Sequence, residues 1–439
     1  MSVSGFGVYP SWKRTRRRFL TEVATIVALL FLLRQLYVFK QSRFGTKRDR
    51  LVGIRQLRQT CGVITTIFDV NDAVEAFVTN TDASLVVVGD KKTSKQEWEA
   101  FQEKHYDKVT YLSPALQVSL PFSSIRYIPW NHFGRKSIGY LYAVAGGCDM
   151  IYDFDDDNHL KLATFKELSN WTHVELRTKE HALHVFNPYP YFQPTNNSFI
   201  WPRGFPLQFI RDPRAYDAFS GRFWEVMPMK DAGFHRVAVI QSLADHDPDV
   251  DAIYRLTRPL PVNFRRKNTI LIAPRGTYSP WNAQAVLVSR SAFFGLLLPV
   301  TVTGRVSDIW RSYITSRLLW ETDFKIAFAS SFVTQYRNPH SYMVDYVDEN
   351  DLYNRVDHLL QTLAHWTSDG CKDLASAYVS LLAKLVAIKV LRPTDLALAK
   401  AWINDLRSIG YNWPSLRERM SAVSLVSAKI IDERNFHVQ

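Results

Sequence analysis

Residues 148–158 read CDMIYDFDDDN. The apolar stretch 150–154 runs into three consecutive carboxylates, Asp155, Asp156 and Asp157. A short apolar run of this kind predicts a buried strand. Its last residues then bring negative charge to one end of a sheet. Ligands of open α/β sheets bind outside the carboxyl ends of the strands. Carboxylates gathered there suit a hard divalent cation, which in turn can hold a diphosphate. Asp155 and Asp157 are therefore the expected metal ligands, with Asp156 in support. An alternative register uses Asp153 and Asp155. The bland competitor is a solvated acidic turn or a helix N-cap.

The flanking sequence adds weight to the metal reading. Residues 61–68 (CGVITTIF) and 85–89 (LVVVG) read as strands, and 108–112 as a brief third. Ser94 with Glu97 has capping-box spacing and predicts a helix to about residue 105. Residues 134–145 (GRKSIGYLYAVA) have helical spacing and stop at Gly146 and Gly147. Strands alternating with helices predict an α/β fold with a mostly parallel sheet and crossover helices. Residues 160–270, rich in Pro and aromatics, read as long loops around a site. Residues 283–302 read as a helix running into a strand, and 309–319 as an amphipathic helix. From about 348 to 410 the period is helical throughout.

The net charge of +12 is local. Residues 1–50 hold eleven Lys and Arg against Glu22 and Asp49, a balance of +9, so the other 389 residues carry +3. The charge gives no support for a nucleic-acid-binding body, and no nucleic-acid partner is expected. The basic run KRTRRR at 13–18 precedes a mostly apolar stretch at 19–39. Twenty-one helical residues span ~30 Å, a bilayer core. The basic flank predicts a cytoplasmic amino terminus. A cleavable signal peptide has a similar apolar length, but RQLYVFKQSRFG offers no small-x-small site, so an uncleaved signal anchor is expected; the bland alternative is an amphipathic or buried helix. The expected organisation is a cytoplasmic tail 1–18, a transmembrane anchor 19–39, a stem 40–60, an α/β domain 61–345 and a helical module 346–439. Asn170 and Asn196 open Asn-x-Ser/Thr triplets, which fit a lumenal body as glycosylation sites. Three cysteines, Cys61, Cys148 and Cys371, allow one intrachain disulfide at most.

Eight segments, ITTIF (64–68), LVVVGDKKT (85–93), PWNHFGRKSIGYLYA (129–143), IYDFDDDN (151–158), WPRGFPL (201–207), DPDVDAIYRLT (247–257), PWNAQA (280–285) and LLLPVTVTGRVSDIWRSYI (296–314), resemble in order those of STELLO-type glycosyltransferases. A more distant resemblance runs to the reversibly glycosylated polypeptides, the UDP-arabinopyranose mutases. The resemblance implies a GT-A-like, Rossmann-like domain and a single-pass type II protein of the Golgi membrane. Asp155–Asp157 then resembles the DxD arrangement of metal-dependent transferases. The expected activity is sugar transfer from a nucleotide-sugar donor, UDP-linked, to a glycan or glycoprotein acceptor, with Mn(II) or Mg(II). The alternative is a Golgi scaffold of little or no activity that assists assembly or secretion of polysaccharide synthases. A polysaccharide synthase or another glycosyltransferase is then the partner, and the anchored stem suits a homodimer.

Further site residues follow. Asp90, after a buried strand, is placed to accept from a nucleotide's base or ribose; its bland reading is a turn aspartate. Arg135 and Lys136 open the helix before the acidic strand, where a cation helps cradle a diphosphate. The resemblance favours Arg135. Arg203 matches a mutase arginine whose side chain is glycosylatable, but Arg211 is offset by one residue from that pattern, so a substrate contact is the expectation. Asp308, before Ile309 and Trp310, is the expected general base for the acceptor hydroxyl. Asp247, Asp249 and Asp251 with His246 form a second acidic cluster, read as a metal site, an acceptor loop, a general base or a polar turn.

Overall fold

The computed structural model describes residues 54–195, 199–229, 236–337 and 340–417. The chain divides into Met1–Val52 and Gly53–Gln439, and the described residues lie in the second unit. The expected tail, anchor and most of the stem fall outside them, as does Asn196. Among the described residues no helix is long and apolar enough to cross a membrane.

Among those residues, eleven strands form one sheet: β1 (Thr60–Thr66), β2 (Ser84–Gly89), β3 (Val109–Leu112), β4 (Met150–Asp153), β5 (Asn158–Leu160), β6 (Thr172–Thr178), β7 (Trp224–Pro228), β8 (Val237–His246), β9 (Thr269–Ile272), β10 (Val286–Ser289) and β11 (Lys325–Gln335). Their order is β3-β2-β1-β4-β10-β8-β11-β9-β6-β7, with β5 pairing beside it on β11. The helices are α1 (Asp72–Asn80), α2 (Lys95–Lys104), α3 (Pro114–Ser119), α4 (Lys136–Ala145), α5 (Ala252–Thr257), α6 (Gly304–Leu319), α7 (Tyr342–Asp348), α8 (Asn350–Asn354), α9 (Val356–His365), α10 (Leu374–Ala387) and α11 (Pro393–Ile409).

The sheet is mixed, which corrects the mostly parallel expectation. Strands β3, β2, β1 and β4 run parallel. Strand β10 is antiparallel to both β4 and β8, while β8 and β11 are parallel again. The parallel block matches the alternating strands and helices read in the sequence. Beyond it the reading fails for a physical reason. Strand β8 carries Gln241, Ser242 and Asp245, yet is buried along most of its length. Each polar group finds a partner there: Gln241 Nε2 donates to Gln284 O at 2.9 Å, and Asp245 accepts the Phe264 N–H at 2.8 Å. Polar residues that bond inside the sheet erase the apolar run that signals a strand.

Three local expectations also shift. Ser94 caps α2 in position, but its side chain makes no capping bond. Glu97 instead accepts the Val70 N–H at 2.9 Å, tying α2 to the loop after β1. Residues 283–302 hold the strand β10 and then a 3-10 turn, Arg290–Leu296, in place of a helix followed by a strand. Helix α6 begins five residues before the expected Ile309 and is buried on nearly all sides.

Helix α4 lies on β1 and β2 because Gly139 has no side chain. A Cβ there would come within 2.6 Å of Val88 and 2.7 Å of Val63. Under the sheet, Phe77 packs on Phe154 with ring centroids 4.7 Å apart. Each such buried ring contributes roughly 1.5–3 kcal/mol. The carboxy-terminal helices pack onto the same body. Asp405 accepts the Ser123 and Ser124 N–H groups, both at 2.8 Å, and Trp402 Nε1 donates to Phe294 O at 3.0 Å. Cys61 and Cys148 form a disulfide between the start of β1 and the turn into β4.

Candidate functional site

The parallel strands β1, β2 and β4 end at one edge, with Thr66, Gly89 and Asp153 as their last residues. A cavity of about 370 Å³ opens there, lined among others by Thr66, Phe68, Asp90, Lys92, His132 and residues 155–157. The acidic triplet therefore lies where an α/β sheet takes its ligands.

The three carboxylates have different surroundings. Asp155 is part-exposed, with 37% of its side chain open. Desolvation pushes it up to about 7; Lys136 opposes this, and Asp157 and Asp156 add to it. Asp156 turns back and accepts from the Thr66 hydroxyl, while its carbonyl accepts from Asn71 Nδ2 at 2.8 Å. Burial raises its pKa, and the Thr66 bond opposes the shift. Asp157 accepts from Asn158 Nδ2 at 2.9 Å and from Gln335 Nε2 at 3.3 Å. Among the described residues, no group of three or more His, Cys, Asp or Glu side chains converges to hold a metal by itself. One or two carboxylates completed by substrate phosphates are the usual arrangement for Mg(II). That donor set fits Asp155 and Asp157.

Lys136 is the cation that reaches the triplet. Its ammonium lies 2.7 Å from Asp153, 3.3 Å from Asp155, 2.6 Å from Phe154 O and 2.9 Å from Ala283 O. Arg135, the residue favoured by the resemblance, turns elsewhere. It stacks on Trp130 at 3.4 Å and donates to Gln117 and Ile128 O. Burial brings it down to about 10, against the pull of Asp90. Asp90 is buried at the end of β2, accepts the Lys91 N–H at 2.7 Å and lines the cavity. His132 also lines the cavity and was not singled out in the sequence. Its Nδ1 accepts the Gly134 N–H at 2.9 Å, and burial lowers its pKa against opposition from Val302, Asp395 and Asp90.

The structure also brings Arg203 and Asp308 together. The guanidinium makes a two-pronged pair with Asp308, at 3.1 and 2.9 Å, and reaches Asp249 at 2.9 Å. Burial would lower Arg203, but Asp249 and Asp308 outweigh it and hold it well above its ordinary value. Asp308 further accepts the Ala283 N–H at 3.1 Å and its neighbour Ile309 N–H at 2.9 Å. It lies within α6, whose N-cap is Thr303. Gly204, at φ +78°, lets the loop press against Ile309; a Cβ would meet it at 2.4 Å. Asp251 caps α5 and accepts from Trp201 Nε1 at 2.7 Å, while Asp247 pairs with Arg255 at 2.6 Å.

The two clusters are physically joined. Ala283 accepts from Lys136 through its carbonyl and donates to Asp308 through its N–H. Arg311, three residues on from Asp308, pairs with Asp153 at 2.9 Å and donates to Asn282 O at 2.8 Å. A continuous chain thus runs from Asp155 through Lys136, Ala283 and Asp308 to Arg203. Its signal in the sequence was weak because Arg203 and Asp308 are 105 positions apart. Asn170 is exposed at the end of the 3-10 turn Phe165–Asn170.

Residues 305–437 match the family model described as STELLO glycosyltransferases. Two curated proteins of Arabidopsis thaliana, named probable glycosyltransferase STELLO2 and STELLO1, are each 28% identical over 321 residues, covering 70% of this chain. The chain spans 40% of the length of these relatives. Among solved structures, S. aureus TarS 1-349 in complex with UDP-GlcNAc aligns over 80% of both chains at 10% identity, with a TM-score of 0.33. A mycobacterial protein aligns over 79% of this chain and 78% of its own at 11% identity, with a TM-score of 0.32.

Proposed function

Starting from a chain of STELLO type, we propose a type II Golgi membrane glycosyltransferase with a GT-A-like lumenal domain that uses a UDP-sugar donor. One observation carries the reading: Asp155, Asp156 and Asp157 line a cavity at the carboxyl edge of parallel strands, backed by a buried ammonium. Asp155 and Asp157 would hold Mn(II) or Mg(II), which when bound supplies charge neutralisation to the leaving diphosphate. Asp90 faces the same cavity and suits the base or ribose of the nucleotide. In the transfer, the acceptor oxygen bonds to the anomeric carbon and the bond from that carbon to the diphosphate breaks. UDP leaves with the electron pair, and the hydroxyl proton passes to a carboxylate or to water. The Cys61–Cys148 disulfide supports an oxidising compartment such as the secretory lumen.

Lys136 holds Asp153 and the carbonyls of Phe154 and Ala283, so it fixes the strand end that presents Asp155. Arg203 and Asp308 stand behind the edge and satisfy each other. Their burial favours a positioning role for both. It also supports a second reading, a weakly catalytic Golgi scaffold, because the expected base is already fully engaged.

The test is direct. Detergent-solubilised full chain is incubated with radiolabelled UDP-sugars and Mn(II), and release of UDP is followed. Release that stops on chelation and in Asp155→Ala supports the transferase. A folded chain that releases none from any donor, with or without acceptor glycans, contradicts it.

A further inference from the structure

One cation lining the donor cavity has no partner. Among the described residues, Lys92 is the one Lys or Arg that lines it, together with Asp155, Asp156 and Asp157. Its side chain forms no hydrogen bond or ion pair with any described residue. The neighbouring cations are all engaged. Lys136 is held by Asp153 and by the carbonyls of Phe154 and Ala283. Arg135 stacks on Trp130 and donates to Gln117 and Ile128 O. Lys91, one residue before Lys92, lies 5.5 Å over the same Trp130 ring.

The backbone that carries Lys92 is fixed. Residues 90–93 form a turn, closed by the Thr93 N–H donating to Asp90 O at 3.0 Å. The Lys91 N–H donates to Asp90 Oδ1 and the Asp90 N–H to the Thr93 hydroxyl, both at 2.7 Å. That hydroxyl donates to Thr66 O at 2.6 Å, and the Thr66 hydroxyl donates to Asp156. One chain of bonds thus sets the Lys92 turn and the acidic triplet in a fixed relation. Strand β1 lies between β2 and β4, so the two strand ends are about 9–10 Å apart. A metal ion on the carboxylates and a diphosphate on the metal fill a gap of that width.

Charge names the ligand. Four carboxylates, Asp90 and the triplet, line the cavity against the Lys92 ammonium. A divalent ion on the triplet offsets two of them. The diphosphate that the metal brings is itself anionic, and it gains one more negative charge when the sugar leaves. An ammonium has three donors, and its bonds to phosphate oxygens are charge-assisted. We propose that Lys92 is a donor-binding residue whose ammonium holds the β-phosphate of the nucleotide sugar from the side opposite the metal-ligand carboxylates. As the bond from the anomeric carbon to the β-phosphate oxygen breaks, the electron pair stays on that oxygen. Lys92 donates a hydrogen bond to the diphosphate and keeps its proton. The inference rests on the transferase reading and deepens it. It gives Lys92 the counter-charge role that the resemblance assigned to Arg135, which turns instead to Gln117.

The experiment is calorimetry on the full chain in detergent and on the variants Lys92→Met, Lys92→Arg and Lys91→Met. Two probes are titrated, UDP with Mg(II) and inorganic pyrophosphate with Mg(II). Lys92→Met is expected to weaken both by about 10-fold or more, the loss of one hydrogen bond between charged groups. Lys92→Arg should restore most of the affinity. Lys91→Met removes the same charge from the same turn and should leave both probes unchanged. UDP bound equally well by Lys92→Met, or weakened as much by Lys91→Met, overturns the assignment and leaves the transferase reading standing. Lys92-dependent pyrophosphate binding by a chain that never binds UDP supports the subsite and sinks the UDP-sugar reading. A folded chain that binds neither probe overturns both.

Discussion

The ammonium of Lys136 lies 3.3 Å from Asp155 and 2.7 Å from Asp153, so one buried cation joins the end of β4 to the first carboxylate of the acidic triplet. Lys136 and Asp153 are both completely buried. A pair of this kind is worth little over apolar residues of equal volume, but breaking it by removing one partner is expensive.

Lys136→Met is therefore expected to cost about 3–5 kcal/mol in urea unfolding. Arg311 keeps a grip on Asp153, so the smaller figure applies if its pair tightens. An unfolding midpoint equal to that of the unmodified chain would show that Lys136 does not hold the strand end.

Asp308→Asn separates two roles. A general base facing the cavity would lose activity at unchanged stability. The geometry predicts destabilisation by about 3–5 kcal/mol, because Arg203 loses half of its buried counter-charge. Denaturant titration of Asp308→Asn beside the unmodified chain decides between them.

Acid should loosen the same cluster. Burial alone would raise Asp249, yet Arg203, Arg337 and Arg305 outweigh it and keep the carboxyl well below its usual range. A carboxyl depressed in the folded state adds stability above its unfolded value of about 4, and that stability is lost as pH falls through the folded value. The melting temperature should thus drop progressively below about pH 4. Asp249→Asn should melt lower at pH 7 and show a shallower acid slope. Parallel slopes would remove Asp249 from the account.

The disulfide closes a loop of 87 residues across β1 and β4. Cys61→Ser/Cys148→Ser should lose roughly 2–5 kcal/mol. Thermal melts of that variant check it, and an unchanged melt would count against the bond.

The acidic edge was legible because a short apolar run meets three charges, and composition alone reports that boundary. The parallel block was legible for the same reason: its strands are mostly apolar and separated by helical spacing. Strands β8 and β11 were not, since their buried polar residues are satisfied by partners far away in the chain. Ser330 illustrates this: it lies in the middle of β11 and accepts the Thr269 N–H at 3.0 Å. The choice between Arg135 and Lys136 was also out of reach. A 3-10 turn, Phe133–Arg135, precedes α4, so Arg135 ends the turn while Lys136 begins the helix, a boundary that helical spacing does not reveal. The Arg203–Asp308 pair was read as two independent candidates, because no spacing rule links residues so far apart.

The most direct measurement is calorimetric titration of the full chain with UDP and UDP-sugars, with and without Mn(II), beside Asp155→Ala/Asp157→Ala. The account predicts binding that needs the metal and vanishes in the double variant. A folded chain that binds no nucleotide under either condition, or that binds equally well without the two carboxylates, would contradict it.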